Sequence, residues 1–110
     1  MLTITGASLI GGREICGGTG FKAFDPMRCV SLEPVFHNGT KEEVDTVCQL
    51  AASAAIAYRQ IPREQRAVFL ETIADLLEEE TDTIVTRAMQ ETALPQGRLT
   101  GEMGRTTGQL

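Results

Sequence analysis

The sequence predicts an α+β fragment. A β-hairpin region spans residues 1–39 and three to four packed helices span residues 40–110, together one incomplete domain. Three observations carry this reading. Before Thr40, short apolar runs are punctuated by glycine and proline at strand-like spacing. From Thr40 onward, apolar residues recur at helical spacing. The last helical stretch carries a stripe of glycines for which these 110 residues offer no obvious covering element.

Composition narrows the function classes. A chain of 110 residues with 42% hydrophobic content suits one small globular domain. Ten basic residues against fifteen acidic ones give a net charge of −5, which argues against nucleic acid or an anionic membrane as partner. The eight Arg and two Lys are scattered, with no aromatic-basic patch. No apolar run approaches membrane-spanning length. Met1–Gly6 lacks the basic start and long apolar core of a signal peptide, so a cytoplasmic location is expected. Cys16, Cys29 and Cys48 are odd in number and widely spaced, and His37 is the single histidine. A structural zinc site needs four closely spaced ligands, so no metal is expected. Three free, partly buried thiols in a reducing compartment are expected instead.

In chain order, Ser8-Leu9-Ile10 and Arg13–Cys16 flank Gly11-Gly12, a pair that tolerates the positive φ of a tight hairpin turn. Gly17–Gly20 reads as a loop, and Phe21–Phe24 as a strand stopped at Asp25-Pro26. Leu32–Phe36 is a further extended piece. Pro34 cannot donate to a ladder and so places that piece at a sheet edge or in loose pairing. Gly18-Thr19-Gly20-Phe21-Lys22-Ala23 matches the spacing of a dinucleotide loop. Such a loop works only where it opens a helix, and here a strand-like run follows.

The first helix is expected over about residues 41–60, behind a capping box of Thr40 and Glu43. Its face of Val44, Val47, Cys48, Ala51, Ala55 and Tyr58 is small in side chain and suits close packing, with Cys48 as a small core residue. The second helix, about 62–79, starts with Pro62 at its first position. Phe69, Ile73, Leu76 and Leu77 form its apolar face. Arg66 falls among them, its head expected to reach solvent or a neighbouring carbonyl. Glu78-Glu79-Glu80 would oppose the macrodipole of a continuing helix. A break near Glu80–Thr81 relieves this, with Thr81 capping a third helix over 82–92 that turns Ile84, Val85, Ala88 and Met89 inward. After Pro95, a fourth helix over 96–110 would carry Gly97, Gly101, Gly104 and Gly108 on one side and Leu99, Met103, Thr106 and Leu110 on another.

These residues resemble a known family. Ile10-Gly11-Gly12, Phe24-Asp25-Pro26, the spacing Arg66…Leu70…Ile73-Ala74…Leu77 and Glu91-Thr92-Ala93-Leu94-Pro95 are similar to the start of an NAD(P)-dependent aldehyde dehydrogenase. The run from Arg98 to Leu110 resembles the bacterial branch that includes α-ketoglutaric semialdehyde and long-chain aldehyde dehydrogenases. The resemblance implies a place within an aldehyde dehydrogenase-like α/β fold, beside its cofactor domain. It implies oxidation of an aldehyde to a carboxylic acid, with cysteine attack, oxyanion donors, hydride transfer and water activated by glutamate. Family members are several times longer, and their catalytic and cofactor-binding residues lie in segments that match nothing here. The expectation is therefore no catalytic, cofactor-binding or metal-binding residue in this chain. NAD or NADP would serve the full-length family, and the chain by itself would be inactive. Its expected partner is the remainder of the fold, or a second copy. In the family, glycine commonly stands where this chain has Ala93, so either the helix cap changes or about 1 kcal/mol of strain is held there. Two other readings are a small stand-alone helical interaction protein forming a homo-oligomer, and a nucleotide-binding module at Gly17–Gly20.

Overall fold

A computed structural model describes residues 3–110. Met1 and Leu2, part of the stretch read as lacking a signal peptide, lie outside the described residues. The chain is α+β, with four strands followed by four helices. It divides into two compact units, one formed by Ile4–Ala23 and Leu32–Ile61, the other chiefly by Phe24–Ser31 and Pro62–Leu110.

The first unit begins with β1 (Ser8–Ile10) and β2 (Arg13–Ile15), which pair antiparallel with Ser8 opposite Ile15 and Ile10 opposite Arg13. Gly11 and Gly12 both take positive φ, 59° and 76°, the backbone a tight turn between right-twisted strands requires. A second two-stranded sheet pairs β3 (Gly20–Asp25) with β4 (Val30–His37). Pro34 sits within β4, where a two-stranded sheet always leaves one edge free of ladder bonds. Phe21 and Phe36 stack with ring centroids 5.9 Å apart, and Lys22 pairs with Glu33 across the strands.

Helix α1 (Lys41–Tyr58) opens on the expected capping box. The Glu43 amide donates to the Thr40 hydroxyl at 3.2 Å, and the Thr40 amide donates to the Glu43 carboxylate at 2.8 Å. Its small-residue face is not covered. Every residue of α1 except Glu43 is exposed, including Cys48 and the alanines. The expected core position of Cys48 is thus corrected: the helix has the surface of a packing element but nothing in the described residues seals it.

The second unit is helical. Its helices are α2 (Arg63–Glu79), α3 (Thr81–Thr92) and α4 (Gln96–Thr107), and α4 packs against both α3 and α2. Pro62 is the N-cap of α2 and not its first helical residue, with ψ 150° still extended. The break between α2 and α3 falls at Glu80, which occupies the N-cap position of α3 without a side-chain capping bond. Thr81 does not cap. Its hydroxyl turns back to the Leu77 carbonyl at 3.5 Å, so it is committed to the end of α2. The tip of the second hairpin belongs to this unit. There Asp25, 4% exposed, accepts from the amides of Met27 at 2.9 Å and Arg28 at 3.0 Å, closing the turn that Asp-Pro announces.

Among the described residues, the buried apolar side chains are Ile10 and Val85, each in a different unit. Val85 and its half-buried neighbours Ile84, Ala88 and Met89 form the inward face of α3 as expected. On α2 the apolar face is only partly enclosed: Ile73 and Leu77 are half-buried, while Phe69 is 54% and Leu76 56% exposed.

Candidate functional site

The glycine loop before β3 is built by close approach, not around a ligand. A Cβ on Gly17 would lie 1.8 Å from the Glu43 carboxylate, and one on Gly18 would lie 2.0 Å from the Asn38 carbonyl. Asn38 ties the loop down, its amide donating to the Thr19 carbonyl at 3.0 Å and its side-chain nitrogen donating to the Thr19 hydroxyl at 2.9 Å. The loop leads into strand β3, so no helix N-terminus stands behind it. The carboxylate against Gly17 would repel a phosphate. The dinucleotide-like spacing is therefore a packing device.

The three cysteines are free and all exposed, which corrects the expectation of partial burial. Cys16 and Cys48 belong to one unit and Cys29 to the other. Cys29 sits at positive φ, 55°, in the tip of the second hairpin, with its thiol 3.7 Å from the Pro26 carbonyl oxygen. Among the described residues, no group of three or more His, Cys, Asp or Glu side chains is placed to hold a metal ion. The acidic run Glu78–Glu80 lies at the junction of α2 and α3, where it borders an apolar hollow lined by Ile73, Leu76 and Leu77.

The most developed surface is the one around α4. One side of α4 meets α3, and there Leu77, Ile84, Val85, Leu99 and Met103 line an open groove of about 320 Å³. That volume would suit a small ligand, but a binding site also needs several convergent polar groups. Here the lining is nearly all aliphatic, with Glu102 and Thr106 at its margin. The groove is the exposed side of a thin core. Thr107, adjacent to the expected Thr106, is the buried residue at the end of α4, with its hydroxyl 3.4 Å from the Gly104 carbonyl. A threonine closing on its own helix leaves no hydrophobic signal in the sequence, so periodicity did not single it out.

The opposite side of α4 is the glycine stripe. A Cβ built at Gly97, Gly101 or Gly104 meets no neighbouring atom within 4 Å. Gly108 departs from the stripe. It is the C-cap, and a Cβ there would approach the Gly104 carbonyl at 3.1 Å.

Two further residues depart from relaxed local chemistry. The Nε of Arg66 is buried with no hydrogen-bond acceptor among the described residues, although the residue as a whole is only half-buried. Ala93 keeps the left-handed cap geometry at φ 58° and ψ 17°, and its amide donates to the Met89 carbonyl at 2.9 Å. Of the two outcomes expected for alanine at this cap, the strained one is realised.

No helix in the described residues is long and apolar enough to cross a membrane. Comparison with known proteins places these features in context. The profile of the aldehyde dehydrogenase family matches residues 18–110. The chain is 43% identical over 111 residues to alpha-ketoglutaric semialdehyde dehydrogenase 2 of Azospirillum brasilense, covering 99% of this chain and 21% of that protein. It is 43% identical over 76 residues to the alpha-ketoglutaric semialdehyde dehydrogenase of Acinetobacter baylyi, covering 69% of this chain and 14% of that protein. The chain thus spans about a fifth of the length of the first relative and about a seventh of the second.

Proposed function

Because the chain belongs to the aldehyde dehydrogenase family, as an N-terminal portion of that fold, we propose that it serves as scaffold for an enzyme that oxidises a semialdehyde such as α-ketoglutaric semialdehyde with NAD or NADP. In this reading the chain supplies packing surface and the chemistry resides in other segments. The observation that supports the scaffold role is the open face of α4, where glycines that weaken a free helix line a surface with nothing against it. Each such glycine costs a helix up to about 1 kcal/mol relative to alanine. A helix bearing several is reasonable where another backbone must come very close, since only glycine leaves that room. The exposed alanine face of α1 supports the same reading.

The nucleophile, the general base and the groups that hold the nicotinamide cofactor would all come from the remainder of the enzyme. A thiol acts as a nucleophile when a neighbouring base or cation makes it a thiolate, and the exposed Cys16, Cys29 and Cys48 are not assigned that role. The reading includes a cytoplasmic location, supported by three unpaired thiols that a reducing compartment would preserve.

The test is a chimera in which this chain replaces the matching segment of the Azospirillum brasilense enzyme. The chimera is expected to form reduced nicotinamide from α-ketoglutaric semialdehyde, and the isolated chain is expected to form none. Turnover by the isolated chain would overturn the scaffold role. A soluble chimera without activity would count against the family-specific placement.

A further inference from the structure

We draw no further inference here: the strongest candidate, the open surface patch of α4 formed by Gly97, Gly101 and Gly104, is a stripe of small residues and nothing in the structure shows what covers it.

Discussion

At Ala93 the backbone is left-handed, φ 58°, and the amide still closes the helix onto the Met89 carbonyl. In that conformation a Cβ crowds the following carbonyl oxygen, at a cost of roughly 1–2 kcal/mol that glycine avoids. Ala93→Gly is therefore expected to stabilise the chain by about 1 kcal/mol, with the glycine's greater unfolded-state entropy offsetting part of the relief. In urea the loss of helical ellipticity should move to higher denaturant concentration; a move to lower concentration would show the cap to be unstrained. Arg66 is a second case. Its Nε is enclosed without an acceptor, and an unmet buried donor costs about 1–3 kcal/mol. Arg66→Met keeps the length and apolar stem, so stability should hold or rise in the same assay. A loss greater than about 1 kcal/mol would mean the guanidinium makes compensating bonds. The two residues differ in how visible they were. The cap conflict at Ala93 is local, since a few residues of helix end decide it. The fate of Arg66, and the exposure of the cysteines, depends on what packs above them, which local sequence does not encode.

The elements were the most legible level, because periodicity and end signals act within a turn or two of chain. The Thr40–Glu43 capping box and the Gly11-Gly12 turn appear in the structure as the residues require. Thr40→Ala removes one partner of that box and is expected to cost about 1 kcal/mol, read as an earlier loss of helical ellipticity on heating. An unchanged melting profile would mean that α1 frays at its start regardless of the cap. The junction of α2 and α3 was harder to place. Threonine is a good cap in isolation, but the Thr81 hydroxyl is drawn to the Leu77 carbonyl and the cap falls to Glu80. Competition between the end of one helix and the start of the next is a tertiary choice that propensity does not resolve. Helix α4 supports the most discriminating element-level prediction. Gly101→Ala places a methyl in open space in the isolated chain and should stabilise it by up to about 1 kcal/mol. In the chimera the same methyl should meet the covering element and lower thermal stability. Stabilisation in both settings would show that nothing packs closely on that face.

For the molecule as a whole, the sequence had enough apolar residues for a core, yet only Ile10 and Val85 are buried among the described ones. Phe69, Leu76, Val44 and Ile56 are among the large side chains left outside. The amphipathic faces were readable from spacing, but which of them would find a partner within these 110 residues was not, since burial is a property of the complete fold. Under the proposed scaffold role, these apolar faces are the ones that pack against the remainder of the enzyme. Calorimetry of the isolated chain tests directly whether it forms a self-sufficient core. A self-sufficient domain of 110 residues absorbs about 0.7 kcal/mol per residue on unfolding, or roughly 80 kcal/mol, in one sharp transition. The isolated chain is expected to unfold in a broad transition with well under half of that enthalpy. A sharp, two-state transition near the full value would contradict it.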